Sequence, residues 1–359
     1  MTATLADSLA DLTPQWFTAA LHDGGAIKPE TTVTTATAAL YGTGQLGLVG
    51  RAELTYDGGE GPASVIIKLP SHDPGSRGLG VAMGAYEGEV RFYQEIAPRT
   101  SMRVPRPYWT SFEPGTGRVT LVLEDLTGSW QVGDMMAGSS SAQNRAALAE
   151  IARLQADLWD TPDLREPAWL SAPARTQMLF DTVAGAVEPF LARFAPHLSP
   201  DAVALIEQLC PLGATYPARA WQGPLVVTHG DFRLDNVLFA PDGDALAATI
   251  LDWQGLRLGP PGIDVAIWLA TSMDPDTRRA QQDDLITGWH QCLLAGGVTG
   301  FSRDDAVASV AAGVLWPLLL GVPMSLTLQQ SERGDAMFAA LVARSAALAA
   351  DLSAASVLL

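Results

Sequence analysis

The chain has 359 residues, 48% of them apolar and 17% charged, which is too much core-forming material and too little charge for a disordered polypeptide. Its 22 Lys and Arg against 39 Asp and Glu leave a formal net charge of −17, and that excludes the basic footprint needed to bind a nucleic-acid backbone or an anionic membrane. Polyphosphate partners stay open only through a local basic site that overrides the global field.

At about 150 residues per domain the length predicts two domains. The opening MTATLADSLADLTPQWF carries Asp7 and Asp11 and no basic n-region, so it does not read as a signal peptide. Strands are expected at Val33–Tyr41, Val49–Tyr56 and Ala63–Leu69, joined by short Gly-rich turns as a β-meander. Tyr86–Ile96 has helical spacing, and Arg118–Leu123 is a further strand, followed by the polar joint Glu124-Asp125-Leu126-Thr127-Gly128. Beyond the joint, helices are expected at Ser141–Trp159, Thr176–Pro196 and Pro200–Leu209, the last with Ser199 as N-cap. The apolar runs LVVTH and ATILDW, between about residues 225 and 253, read as a small hairpin before helices resume.

From Ala306 to Gln330 there is no charge, enough to span a bilayer, but Pro317 and Pro323 favour a buried helix. Cys210 and Cys292 are too few for a disulfide framework and are expected as buried apolar residues of a reducing compartment. The expectation is a soluble cytoplasmic protein with no membrane partner. Its fold class is α+β, with a small mostly-β lobe over residues 1–125 and a larger mostly-α lobe over 126–359.

Three features carry chemistry. Gly42-Thr43-Gly44-Gln45-Leu46-Gly47 joins strand to strand, whereas a dinucleotide fingerprint needs a strand-to-helix turn. The segment resembles the loop that covers ATP phosphates in kinases, although a plain hairpin turn explains these letters equally well. Lys68 ends the apolar run VIIK and is one of only two lysines. An ammonium there calls for a carboxylate such as Glu87 or Glu89, unless it snorkels from an edge strand.

The most specific signal is Thr228-His229-Gly230-Asp231-Phe232-Arg233-Leu234-Asp235-Asn236, followed by Ile250-Leu251-Asp252-Trp253-Gln254. Phosphoryl transfer needs a carboxylate to orient the acceptor hydroxyl, oxygen ligands for Mg²⁺ and positive charge near the transferred group. Asp231, the pair Asn236 and Asp252, and Arg233 are residues of those types at the required spacing. His22, His72, His197 and His290 are scattered without a second ligand at i+4, so a zinc site is not expected.

HGDFRLDN with ILDW resembles the aminoglycoside phosphotransferase and choline kinase superfamily, of protein-kinase-like fold. Within it, GTGQLG, VIIK, YEGEVRFYQEIAP and LVLEDL look most like bacterial phosphotransferases akin to ecdysteroid kinases. The similarity covers about residues 35–270. It implies ATP and Mg²⁺ as cofactors and a hydroxylated small molecule as acceptor. Asp231 would be the catalytic base, Asn236 and Asp252 the metal ligands, and Lys68 the partner of Glu89. Gly42, Gly44 and Gly47 would cover the nucleotide, while Glu124 and Leu126 would offer backbone groups to adenine. His229 would support the catalytic loop and Asp264, in GPPGIDVA, would brace it through its backbone.

The chain departs from that pattern at Gln155, where relatives often carry His, and at Gln254, where protein kinases have Gly. The second departure favours a small-molecule kinase. A nucleotide-binding pseudokinase acting as a sensor or partner subunit is the alternative, with intact Lys68, Asp231 and Asp252 against it. A metal-dependent hydrolase using His229 and Asp231 would leave Lys68 and the Gly loop unexplained. Eight of the ten tryptophans lie in the second lobe, most as core, with one or two expected to line an apolar acceptor pocket. The acidic residues Asp274, Asp276, Asp283 and Asp284 suit either a solvated face or a polycationic acceptor.

Overall fold

A computed structural model describes residues 2–44, 46–243, 245–327 and 332–359. The chain divides into two compact units, one made of Met1–Pro98, Val104–Trp130 and Asp252–Gln254, the other of Arg99–Arg103, Gln131–Leu251 and Gly255–Leu359.

The first unit opens with α1 (Pro14–Asp23), where the Thr13 side chain accepts from the Trp16 amide and Pro14 takes a position that needs no N–H. The strands β1 (Thr32–Thr43), β2 (Gly47–Asp57) and β3 (Ser64–Pro70) pair antiparallel in sequence order, as the meander reading expects. Next come α2 (Pro74–Met83), α3 (Ala85–Arg91) and a π-helical turn over Phe92–Ile96, then β4 (Pro107–Glu113) and β5 (Arg118–Glu124). The sheet runs β1-β2-β3-β5-β4. Phe17 and Leu21 of α1 pack with Val65, Ile67, Leu69 and Val122 as the core of this unit. The sequence pattern did not separate α1, α2 or β4. In β4 every residue but Glu113 is half-buried, so it lacks the alternation that marks a strand.

The second unit contains β6 (Gln131–Val132), α4 (Ser141–Asp157), α5 (Pro173–Asp181), α6 (Val183–Phe194), α7 (Pro200–Leu209) and α8 (Tyr216–Ala220). It continues through β7 (Val226–Thr228), β8 (Val237–Asp242), β9 (Ala245–Ile250), β10 (Arg257–Gly259), α9 (Gly262–Thr271), α10 (Pro275–Ala295), α11 (Arg303–Gly313), α12 (Leu315–Thr327) and α13 (Glu332–Asp351).

Three expectations need correction. The single helix Thr176–Pro196 is two: the Thr182 amide bonds the Leu179 carbonyl at 3.4 Å, a tighter i−3 turn that closes α5 before α6 begins. The runs LVVTH and ATILDW do not pair with each other: β7 pairs with β10 and β9 with β8, since the intervening loop diverts the chain. Cys210 is buried but Cys292 is exposed, lying off the α10 stripe of Leu285, Trp289 and Leu293.

The uncharged stretch after Ala306 falls in α11 and α12. The run Arg303–Thr327 is long and apolar enough to cross a membrane, and 61% of its most apolar window is buried inside the protein; residues 328–330 lie outside the described residues.

Candidate active site

In the first unit the focus is Lys68, near the end of β3. Its Nζ donates to Glu89 Oε1 at 2.6 Å and to Asp252 Oδ1 at 2.7 Å. Glu89, on α3, is 1% exposed; Gln254 also hydrogen-bonds its carboxylate, and Glu87 pairs with Arg91 instead. Burial pulls the Lys68 pKa down, but Asp252 and Glu89 outweigh it and hold the ammonium above its usual range. Burial likewise pushes the Glu89 carboxyl up, against the pull of Lys68.

Asp252 is held at φ 62°, a left-handed conformation that costs a non-glycine residue energy, though Asp adopts it more readily than most. The next residue anchors it: the Trp253 ring stacks on Phe92 with centroids 3.8 Å apart and planes 8° from parallel. The phenylalanine comes from the π-helical turn, so that irregular turn and the strained aspartate belong to one packing arrangement.

The Gly-rich hairpin connects β1 and β2, with Gly42 opposite Val49 and the Gly44 amide donating to the Gly47 carbonyl at 3.0 Å. Gln45 lies outside the described residues. A β-carbon on Gly47 would meet the Leu69 carbonyl oxygen at 2.6 Å, whereas one on Gly42 would meet nothing within 4 Å and one on Gly44 only Gly47 backbone, at 3.6 Å. Close packing therefore accounts for the third glycine but not for the first two. The buried Tyr86 hydroxyl donates to the Leu46 carbonyl at 2.6 Å and fixes the returning arm. At the joint, the Glu124 N–H donates to the Arg106 carbonyl and the Leu126 carbonyl accepts from the Ser129 and Trp130 amides.

In the second unit, the loop after β7 carries His229, Asp231, Arg233 and Asn236. Asp264, at the start of α9 and fully buried, accepts the His229 amide at 2.8 Å and the Gly230 amide at 2.9 Å, one on each oxygen. Burial raises the Asp264 pKa, opposed by His229 and these two amides. The His229 ring accepts the Asp231 amide on Nδ1 and bonds the Leu251 carbonyl through Nε2 at 2.7 Å, which puts the ring proton on Nε2. The ring thus clamps its own loop to the chain leaving β9.

Asp231 is half-exposed. The Arg233 Nε donates to both its carboxylate oxygens, at 3.1 and 3.2 Å, and the Asn236 amide donates to its backbone oxygen and to Oδ2. Arg233 also reaches Asp235 and the Met337 sulfur. Two fixed donors thus orient the Asp231 carboxylate. With its nitrogen committed to Asp231, Asn236 keeps its amide oxygen as the possible ligating atom.

Sequence reasoning singled out Gln254 and Gln155 as departures but missed their partners. Gln155 is buried, donating to the Pro261 carbonyl and accepting the Trp289 indole N–H, at 2.9 and 2.8 Å. No local signal in the sequence announces the Tyr86–Leu46 tether or the Phe92–Trp253 stack, because each joins residues far apart in the chain.

The model of the phosphotransferase enzyme family matches residues 58–300, more than half of the chain. No curated protein sequence matches it. Among solved structures, an ethanolamine kinase from Plasmodium vivax is similar at 10% identity, covering 92% of this chain and 87% of its own, with a TM-score of 0.51. The GDP complex of a point mutant of aminoglycoside 2'-phosphotransferase-IIIa is similar at 14% identity, covering 93% of this chain and 97% of its own, with a TM-score of 0.50. At such identities the likeness is one of fold, and it bears out the α+β kinase-like class. The chain belongs to the phosphotransferase enzyme family.

Proposed function

We propose that this protein transfers the γ-phosphoryl group of ATP, with Mg²⁺, to a hydroxyl of a small molecule. The observation that carries the reading is Lys68: a strand lysine held between a buried helix glutamate and an aspartate in strained backbone. That arrangement presets an ammonium for phosphate oxygens, and structural stability alone gives no reason to build it.

In this reading Lys68 binds the α- and β-phosphates and Glu89 keeps it from collapsing elsewhere. Gly42 and Gly44, which the protein's own packing does not require, let backbone amides approach the phosphates. Glu124 and Leu126 face adenine through those backbone groups not already engaged at the joint. The Asp252 carboxylate and the Asn236 amide oxygen are hard donors of the kind Mg²⁺ takes alongside phosphate oxygens, so the residues present fit the ion. When bound, Mg²⁺ would offset the negative charge of the phosphates.

Asp231 accepts the acceptor's hydroxyl proton. The freed oxygen forms a bond to the γ-phosphorus as the bond from that phosphorus to the β-phosphate's bridging oxygen breaks, and ADP leaves with the electron pair. Arg233, next to Asp231, offsets negative charge at the transferred group. Asp264 and His229 keep the loop in register without touching the reacting atoms.

Asp231→Ala is the test. ADP release stimulated by an acceptor should fall by about a thousandfold, while stabilisation by Mg-ATP in a melting experiment persists. Undiminished turnover would remove Asp231 from the mechanism. A wild-type protein stabilised by Mg-ATP that releases no ADP with any of aminoglycosides, macrolides, choline, steroids, sugars and hydroxy acids would favour the pseudokinase alternative.

A further inference from the structure

Among the described residues, Arg257 and Arg175 of the second unit make no ion pair with a carboxylate, in a chain with 39 acidic residues. Arg257, on β10, is half-buried; its guanidinium lies 4.4 Å over the Trp316 ring, and its Nε donates to the Gly255 carbonyl at 2.9 Å. Among the described residues its two terminal nitrogens make no hydrogen bond or ion pair, and neither does Arg175 on α5. A β-carbon on Gly230 would stand 3.4 Å from the Arg257 Nε, so this cation adjoins the residue before Asp231. Trp316 binds the same place, its indole N–H donating to the Gly230 carbonyl at 3.1 Å. Phe180, on α5, meets Trp316 edge-on at 5.4 Å, and Trp221 flanks it at 6.1 Å.

Burial and then the neighbouring charge of Arg175 lower the Arg257 pKa to about 10, with Asp264 pulling the other way. Asp264 attracts Arg257 only at a distance, since no salt bridge or hydrogen bond joins them among the described residues and its oxygens hold the loop amides. Two like charges kept near each other and half out of water are unfavourable unless an anion arrives from outside. A guanidinium preset on an indole face is suited to take a carboxylate or phosphate in two-pronged fashion.

The acidic residues that could have drawn a polycation are mostly committed: Asp274 caps α10, Asp276 pairs with Arg279, and Asp283 pairs with Arg303.

We propose that Arg257, lying over Trp316, with the charge of Arg175 on α5, the helix whose Phe180 meets the same indole, forms an anion subsite for the phosphate acceptor, which therefore carries a carboxylate or phosphate group besides its hydroxyl. This rests on the phosphotransferase reading above. Amino alcohols and aminoglycosides, being cationic, are disfavoured at the same place.

The test is titration of acetate and of inorganic phosphate into the full chain with Mg-ADP present, followed by calorimetry. At least one of the anions should bind the wild type and bind Arg257→Gln and Arg175→Gln about tenfold more weakly, with Arg145→Gln, at an exposed position of α4, unchanged. Which anion binds separates a carboxylate acceptor from a phosphate one. Arg175 is half-exposed on a helix, so its variant keeps the test open should Arg257→Gln fail to fold.

Absence of binding by both anions, equal binding in Arg175→Gln, or loss in Arg145→Gln overturns the subsite. Melting with Mg-ATP distinguishes the two readings. A Mg-ATP shift without anion binding overturns the subsite alone. Anion binding without a Mg-ATP shift overturns the nucleotide reading and, with it, the assignment of the anion to an acceptor.

Discussion

Asp264 shows how one side chain sets the geometry of a loop it does not belong to. Its two oxygens hold consecutive amides at His229 and Gly230 from a fully buried position. Asp264→Ala should therefore destabilise the fold by about 2–4 kcal/mol, measured by urea unfolding, because two buried donors lose a charged acceptor. A loss within about 0.5 kcal/mol would mean that the loop finds another acceptor.

Asp125, at the joint, behaves in the opposite electrostatic sense. Burial opposes its ionisation, but Ser64, the Thr127 hydroxyl and amide, and Arg51 outweigh it and hold the pKa down to about 2. The unfolded chain binds this proton at higher pH than the folded one. The contribution, about 2 kcal/mol, is thus complete above about pH 4 and lost as pH falls through the folded value. Asp125→Asn should be less stable than wild type at pH 7, with the gap in melting temperature closing toward pH 2.5. A gap that stays constant would assign the effect to shape. The residue types at Asp231, Asn236 and Asp252 were legible in the sequence because their spacing is local. Gln155 was legible only as a departure, since its partners are 106 and 134 residues away.

The Gly-rich hairpin separates two uses of glycine. Gly47 faces the Leu69 carbonyl at a distance no β-carbon tolerates, while Gly42 faces open space. Gly47→Ala should cost about 1–3 kcal/mol of stability through backbone displacement between β2 and β3. Gly42→Ala should leave the melting temperature nearly unchanged and weaken stabilisation by Mg-ATP. If Gly42→Ala binds nucleotide as the wild type does, the hairpin is only a turn. Elements with strong local signals, β1 to β3 and α7 with its Ser199 cap and Pro200, were legible. The pairing of β7 with β10 was not, because strand partners are chosen by the return path of the chain rather than by the strand's own residues.

For the whole molecule, the charge of −17 is the dominant long-range term. Self-repulsion of that size opposes the compact state and is screened by salt. Raising NaCl from about 10 mM to about 0.5 M should raise the melting temperature by a few degrees, and solubility should be least near the isoelectric point of about 4.5. A melting temperature that falls with salt would mean that ion pairs such as Arg278–Asp351, with its arginine almost fully buried, outweigh the net repulsion.

The sequence by itself determined the strands β1 to β3 and β5, the helices α4 and α7, the division into a sheet-rich and a helix-rich part, and the residue types of the candidate site. Each of these is written in local periodicity, capping and spacing, which need no knowledge of distant neighbours. Only the tertiary structure decided that Lys68 takes Glu89 and Asp252 rather than Glu87, that Asp252 sits in a left-handed backbone beside the Phe92–Trp253 stack, and that Arg257 lies over Trp316 beside Gly230. These are choices among partners separated by tens to hundreds of residues, and packing and charge settle them only once the chain has closed on itself.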